Sequence, residues 1–428
     1  MDQILKPIKQ AVNVGIIVKN DDKLIYEYNS KHLFTPASLI KLYTAYSSLK
    51  YLGSEYKYTT RIYIDKSSKD ISNLYIKFSG DPTFKSTDLE NLLNKLNQLG
   101  INNINNVIID DSQFDNILHT EGNTLGDEAY CFAAPISAII IDKNCFKVKI
   151  EDQGNSIKLK LEDKTGSIHI RNSLIISNEY IDWTSTILDD VYNLQGSFKK
   201  SQLPKTIKLA YQNPRLLAKN LITSYLNENK ISVKGKIDFG ITPNILIPAF
   251  VHESPTLKEI VRELLKNSDN LIAESLVRTI SYNYYKLPGS NNLGIKAILE
   301  ILSKENIDTE KFRLADGVGS YYSLISPESI VELLYIIRKD SEIYPYIFSS
   351  LPIMGVDGTL ENYQYSKLKG KIFAKTGTLK SAANLAGYAV TDKGNKINFA
   401  IMFNDFIIPK KELLNVYEQL LDYIVTNF

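Results

Sequence analysis

The sequence predicts a mixed α/β (α+β) protein whose outer domain is split around a mostly-β middle segment. Three observations carry that expectation. The N-terminal region alternates strand-like and helix-like patterns, and residues 150–210 read as short polar strands. From residue 256 helical periodicity dominates until strands return near the C-terminus. A chain of 428 residues is long enough for two or three domains, so a segment inserted into a split outer domain is the natural arrangement.

Taken in order, residues 11–29 alternate apolar and polar side chains around Asn20-Asp21-Asp22, which predicts a two-stranded hairpin. The run "FTPASLIKLYTA" predicts a core helix, with Thr35 as N-cap and Pro36 in its first turn. Strand patterns follow at 56–80, and a helix over Leu89–Leu99 ends at Gly100. "VIIDDSQF" and "ISAIIIDKNCFKVKI" read as buried strands. Four helices are expected after residue 256, in "TLKEIVRELLKN", "DNLIAESLVRTISYNYY", "LGIKAILEILSKEN" and "SPESIVELLYIIRK". Strands then return at "GKIFAKTG", "NLAGYAVT" and "INFAIMFND", before a last helix from about Lys410 to Thr426.

Composition excludes several classes. With 44% hydrophobic and 23% charged residues the chain is an ordinary soluble globular protein. A net charge of +2 and the lack of dense basic runs argue against a nucleic-acid partner. No apolar stretch reaches the ~18 residues needed for a transmembrane segment. "MDQILKPIKQ" lacks the apolar core of a signal peptide, so the chain is expected to be cytoplasmic or a mature form with an added Met1. Two cysteines, Cys131 and Cys145, are too few for a disulfide scaffold, and whether they bridge stays open. His32, His119, His169 and His252 are scattered singly, so no metal site is expected. Gly-x-Ser-x-Gly, Gly-x-Gly-x-x-Gly and Walker A patterns are absent, and no cofactor is expected.

The chemistry begins with a lysine in the wrong surroundings. Lys41 lies in an apolar helix, where burying an ammonium costs several kcal/mol unless it is paired or neutralised. Ser38 precedes it by three residues, one turn away on the same helix face. A desolvated lysine has a lowered pKa and takes a proton from serine; the plainer reading is a lysine that snorkels to water. Ser-x-x-Lys occurs five times, at Ser38, Ser47, Ser54, Ser197 and Ser366, and only the first opens an apolar helix. Two further elements are consistent with it. Ser268-Asp269-Asn270 lies in a turn between two helices, where Ser268 also suits an N-cap. Lys375-Thr376-Gly377 follows the apolar run "KIFA" on a strand, and Gly377 lets a ligand approach the backbone. Ser281 and Ser290 also begin Ser-x-Asn matches. A second Lys-Thr-Gly at Lys164 lies between polar strands, precedes every Ser-x-Asn match and reads as a hairpin turn.

Ser-x-x-Lys, Ser-Asp-Asn and Lys-Thr-Gly in that order are the elements of class A β-lactamases and penicillin-binding proteins. Within that superfamily the chain resembles the class C low-molecular-mass penicillin-binding proteins, the D-alanyl-D-alanine carboxypeptidase/endopeptidases. The resemblance covers nearly the whole chain, through "TPASLIKLYTA", "FSGDPTF", "CFAAPISAIIIDKNCF", "KNSDNLIAESLVRTI", "ADGVGSYYSLISP", "LPIMGVDGTL" and "AKTGTLKSAANLAGY". It implies a transpeptidase/β-lactamase-like catalytic domain at 1–58 and 252–428. Inserted domain II would be 59–148 and 213–251, with domain III nested at 149–212.

The resemblance also implies roles. Ser38 attacks the D-Ala carbonyl of a peptidoglycan stem peptide or the cross-link, and Lys41 is its base. Ser268 relays a proton to the leaving amine, and Asn270 holds Lys41 and the substrate amide. Lys375 and Thr376, with Thr378, bind the terminal carboxylate, and the N–H groups of Ser38 and Thr378 form the oxyanion hole. β-Lactams are expected to acylate Ser38, in the periplasm or another extracytoplasmic space, and the resemblance allows a homodimer. Asp127 in "GDEAYCFAAP" is placed to hold the amine of the substrate side chain, with Phe132 beside it, although Asp127 also suits a turn cap. The family's arginine after Asp-Gly-x-Gly is missing from "DGVGSYYS", where Tyr321 stands near its place. Lys380 is the cation expected to meet the side-chain carboxylate instead, a solvated loop lysine being the other reading. A β-lactamase, an esterase of the same superfamily and a non-catalytic cell-wall binding protein are the alternatives.

Overall fold

The structure is a computed structural model that describes residues 1–65, 70–122, 126–154, 156–163, 165–179, 182–363 and 365–428. After a helical turn, α1 (Asp2–Leu5), the expected hairpin forms: β1 (Asn13–Asn20) and β2 (Lys23–Tyr28) pair antiparallel. Asp21 makes the reversal at φ 53°, a conformation Asp tolerates better than most residues. The helix after it starts later than the sequence suggests. Ala37–Leu39 form a 3-10 turn, and α2 runs over Ile40–Leu52. The reason is Ala37, whose φ of +50° is incompatible with a helix running on from Pro36. Thr35 therefore does not act as the N-cap; its carbonyl accepts hydrogen bonds from Asn384 and Asn404 instead.

The chain divides into two units, Met1–Tyr56 with Thr256–Phe428, and Lys57–Pro255. The second unit contains β3 (Thr59–Ile64), β4 (Asp70–Lys77), α3 (Ser86–Gln98), β5 (Asn103–Asp110), β6 (Cys145–Asp152), β7 (Ile157–Glu162), β8 (His169–Ile176), β9 (Trp183–Leu188), β10 (Val191–Phe198), β11 (Lys205–Ala210), α4 (Pro214–Glu228), β12 (Ser232–Val233), β13 (Ile237–Phe239) and β14 (Pro248–Glu253). They form three sheets, in the orders β12-β5-β4-β3-β14 with β13 also on β5, β11-β6-β7, and β8-β10-β9. Ile150, Leu194 and Phe198 from residues 149–212 share one buried cluster with Ile62, Leu93 and Ile104.

The stretch expected as one strand over "ISAIIIDKNCFKVKI" is a strand only from Cys145 onward. Ile139, Ile140 and Ile141 are buried, as their apolar character demands, but in a loop. Asn144 replaces the missing ladder. Its side chain donates to the Pro135 and Ile139 carbonyls and accepts from the Ile141 N–H, so the buried backbone stays paired. Cys131 and Cys145 form a disulfide with their Cα atoms 5.6 Å apart.

The first unit resumes with α5 (Leu257–Asn267), α6 (Asn270–Tyr285), α7 (Asn291–Lys304), α8 (Pro327–Lys339), α9 (Tyr344–Ser350), β15 (Ile372–Leu379), β16 (Ala382–Val390), β17 (Lys396–Asn404) and α10 (Lys410–Asn427). Its sheet has the order β15-β16-β17-β1-β2, every pairing being antiparallel. On one face Val14, Ile16 and Val18 of β1 and Phe399 and Ile401 of β17 pack with Leu413, Leu420 and Ile424 of α10. On the other, Tyr388 of β16 donates to the Leu334 carbonyl of α8, and Tyr43 of α2 donates to that of Ser329. This three-layer arrangement brings the start of α2, the α5–α6 junction and β15 together. Among the described residues no helix is long and apolar enough to cross a membrane, and no cluster of His, Cys, Asp and Glu is suited to a metal.

Candidate active site

Ser38 sits in the 3-10 turn, and the turn is fixed from three sides. Asn384 of β16 and Asn404 of β17 donate to the Thr35 carbonyl at 2.9 and 3.0 Å. Gly377 of β15 faces the Pro36 carbonyl so closely that a Cβ there would lie 2.4 Å from that oxygen. The sequence assigned this glycine to ligand approach; in the structure its missing side chain admits the serine turn against the strand. Gly319, at φ +96°, does the same from the other side, where a Cβ would fall 1.8 Å from the Ala37 carbonyl oxygen.

Lys41, in the first turn of α2, is completely buried. Its Nζ donates to Ser38 Oγ at 2.7 Å, to Asn270 Oδ1 at 2.8 Å and to the Val318 carbonyl at 3.4 Å. It therefore points along its own helix toward the serine and does not snorkel. Burial lowers its pKa to about 8, against the opposing pull of the Asp316, Asp269 and Glu274 carboxylates. The lowered value brings the neutral form, which a proton acceptor requires, within reach of physiological pH, although the protonated form still predominates there.

A second lysine–serine pair stands beside the first. Ser268 ends α5 in the left-handed conformation at φ 57°. It is not an N-cap as the sequence allowed; Asp269 takes that role for α6 by accepting from the Ile272 N–H at 3.0 Å. The left-handed turn costs roughly 1–2 kcal/mol. It is outweighed by burial of Ile260, Val261, Leu264 and Leu265 on α5, each contributing about 1.5–3 kcal/mol. Lys375, also completely buried, donates to Ser268 Oγ and to the Thr376 carbonyl, both at 2.8 Å. Burial, and then the nearby Lys41 ammonium, push the Lys375 pKa well below its ordinary value.

β15 is the outer strand of its sheet. The Ala374 N–H points away from β16, to the Pro352 carbonyl at 3.0 Å. By strand alternation the N–H groups of Thr376 and Thr378 face the same outer side. Thr378 is exposed, and Thr376 Oγ1 lies 2.9 Å from Thr359 Oγ1. Thr359 was not foreseen from the sequence, nor was the group that holds its loop. Lys266, two residues before Ser268, grips both oxygens of Asp357 at 2.6 Å and donates to the Leu351 carbonyl. The run "LPIMGVDGTL" contains Thr359 and Asp357 but not Lys266, and no pattern within it marks their contacts.

The remaining expected residues are less tightly placed. Lys380 is exposed in the turn after β15, which ends at Leu379, so it is not on the strand itself. Its backbone N–H donates to the Tyr321 hydroxyl oxygen at 3.3 Å, tying the end of β15 to the Asp316–Tyr322 loop. Asp127 and Phe132 belong to the inserted unit, where Phe132 is 56% exposed and stacks on Tyr130. Lys164 lies outside the described residues. Among the other sequence matches, Ser47 is buried within α2, Ser290 caps α7, and Ser281 Oγ accepts from the Ser290 N–H.

Residues 2–425 match the model of the family described as the D-Ala-D-Ala carboxypeptidase 3 (S13) family. The chain is 29% identical over 425 residues to the D-alanyl-D-alanine carboxypeptidase DacB of Haemophilus influenzae, covering 95% of this chain and 88% of the relative. A crystal structure of penicillin binding protein 4 from Haemophilus influenzae superposes with a TM-score of 0.90 at 28% identity, covering 99% of each chain. A second structure of that protein, complexed with a novel β-lactam, gives a TM-score of 0.85 at 27% identity, again covering 99% of each chain.

Proposed function

The chain belongs to the D-Ala-D-Ala carboxypeptidase 3 (S13) family of serine carboxypeptidases, and from that premise we propose how it works: Ser38 is the nucleophile and Lys41 the base of a D-alanyl-D-alanine carboxypeptidase/endopeptidase acting on peptidoglycan stem peptides outside the cytoplasm. The observation that carries this reading is the 2.7 Å contact between Ser38 Oγ and a buried lysine of depressed pKa.

In its neutral form Lys41 accepts the Ser38 proton as Oγ attacks the carbonyl carbon between the two D-alanines. The N–H groups of Ser38 and Thr378 would hold the oxyanion, and such donors act strongly when they are oriented in advance. Ser268 passes a proton to the departing D-alanine amine, and Asn270 holds Lys41 and the substrate amide. The terminal carboxylate binds at Lys375 and Thr376, with Thr378 and Gly377 lining the same strand. That carboxylate also assigns the charges: it restores a proton to Lys375, and two neighbouring buried lysines are not both readily charged, so Lys41 is left as the neutral partner. Water then hydrolyses the acyl-enzyme. A β-lactam acylates Ser38 by the same attack and leaves slowly, a reading supported by the β-lactam complex of the Haemophilus influenzae relative. A cleaved cross-link would use the same groups, and the inserted unit would be organised as two lobes, 59–148 with 213–251 and 149–212.

The test is intact mass after incubation with benzylpenicillin, with peptide mapping of the adduct, repeated across a pH series. The adduct is expected on the peptide containing Ser38. Because Lys41 must lose its proton to act, the acylation rate should rise as pH passes upward through about 8. A rate that falls over that interval, or an adduct on another peptide, sinks the assignment.

Lys380 would hold the carboxylate of the stem-peptide side chain by a charge-assisted hydrogen bond; the roles that the resemblance gives Asp127 and Phe132, for the amine of that side chain, are proposed for the inserted unit by itself. A carboxylate contact is worth roughly 1.5–3 kcal/mol, so Lys380→Ala is expected to reduce discrimination between diaminopimelate-type and neutral peptides by about ten-fold or more. Equal loss of kcat/KM on both peptides removes Lys380 from the site.

A further inference from the structure

We infer that Asp316 is a positioning residue for both members of the nucleophile–base pair: its carboxylate folds the Gly317–Ser320 turn so that the Val318 carbonyl meets Lys41 while Gly319 seats against the peptide that carries Ser38. This rests on the reading of Ser38 as nucleophile and Lys41 as base. Asp316 is 1% exposed, and its Oδ1 accepts from the N–H groups of Val318 at 3.0 Å, Gly319 at 2.6 Å and Ser320 at 3.3 Å. Three successive backbone donors closing on one carboxylate oxygen fix the turn without any regular secondary structure.

The turn is also anchored to the two helices that supply the base and its partner. The Gly317 N–H donates to Glu274 of α6 at 3.1 Å, and the Gly317 carbonyl accepts from Thr44 of α2 at 3.0 Å. Glu274 is itself paired with the buried Arg278 at 2.9 Å. So oriented, the Val318 carbonyl becomes the third partner of Lys41 Nζ at 3.4 Å, beside Ser38 and Asn270. One residue on, the positive φ of Gly319 allows its backbone to press on the Ala37 carbonyl. Ala37 is the residue whose own left-handed conformation starts the serine turn, so the contact braces a strained peptide next to the reacting oxygen. The titratable groups that face Lys41 are Asp316 on this turn, Asp269 at the cap of α6, Glu274 on α6, and Lys375 on β15, whose own pKa is pushed down. Asp316 is thus both a scaffold and the main negative charge holding the Lys41 proton.

Those two roles separate by substitution. Asp316→Asn keeps an acceptor oxygen but removes the charge, whereas Asp316→Glu keeps the charge but displaces the turn by one methylene. Benzylpenicillin acylation rates across pH are the readout, with thermal melting as the folding check. Both variants are expected to lower the plateau rate about ten-fold or more. Asp316→Asn alone should also move the rising limb to lower pH, since a lysine that has lost a facing carboxylate gives up its proton more readily. Gly319→Ala should lower the plateau and leave the limb in place. If Asp316→Asn does not fold, Asp316→Glu and Gly319→Ala carry the test through the plateau. An unmoved limb in folded Asp316→Asn overturns the proposal, as does a wild-type plateau in both Asp316→Glu and Gly319→Ala. Absence of any adduct on wild-type Ser38 is a different result, and it rejects the underlying reading of the site.

Discussion

Replacing Ser38 with alanine is expected to abolish both penicillin acylation and release of D-alanine. The serine contributes little to the fold, because the turn that carries it is fixed by Asn384, Asn404, Gly377 and Gly319, none of which touches its hydroxyl. The variant should therefore melt close to the wild type. Catalysis should fall by roughly 10⁴-fold or more, the scale on which removal of a covalent nucleophile acts. Ser268 is the other serine of the site, but it is no substitute. Its hydroxyl is held by Lys375, not Lys41, and it sits on the left-handed residue between α5 and α6. Intact mass with benzylpenicillin and a D-alanine release assay measure the two halves. A penicilloyl adduct that still forms at the wild-type rate places the nucleophile elsewhere and ends the assignment.

What the sequence revealed follows from how far apart the interacting residues lie. Ser38 and Lys41 are three positions apart, so local helical geometry exposed their pairing, and the structure retains it even though the serine occupies a 3-10 turn and not the helix proper. The hairpin of β1 and β2 and the amphipathic α5 were legible for the same reason, since period and turn residues are local signals. The contact between Lys41 and Asn270 spans 229 positions and that between Lys375 and Ser268 spans 107, beyond any period; only the family resemblance joined them. Residues whose role is to hold another residue were visible only as members of the segments that carry the resemblance, without any sign of what they hold. Asp316 appears as one acidic residue in a glycine-rich loop until its three backbone donors are seen. Lys266 and Asp357 are 91 positions apart, and neither carries a pattern of its own. The failures have equally specific causes. Ala37 breaks the helix through a backbone conformation that no alanine advertises, and the apolar run before Cys145 is buried without pairing because Asn144 satisfies its backbone.

The two Lys-Thr-Gly copies give the sharpest contrast. Lys375→Ala is expected to slow acylation by about 10- to 100-fold, whereas Lys164→Ala should leave it unchanged. The size follows from the hydrogen bonds removed. Bonds to a charged group contribute about 1.5–3 kcal/mol, which corresponds to factors of that order. Lys375 makes such bonds to Ser268 Oγ and the Thr376 carbonyl from a fully buried position. On the proposed roles, its removal would leave Ser268 unheld and the substrate carboxylate without its cation. Burial and the nearby Lys41 ammonium already hold the Lys375 pKa well below its ordinary value, so in the free enzyme removing Lys375 should lower the plateau and leave the rising limb set by Lys41 in place. Asp316→Asn is expected to move that limb, so the two variants separate loss of a neighbouring side chain from loss of a facing charge. Acylation rates measured across pH for Lys375→Ala, Lys164→Ala and the wild type decide it. Equal effects from the two lysines would undo the choice of Lys375.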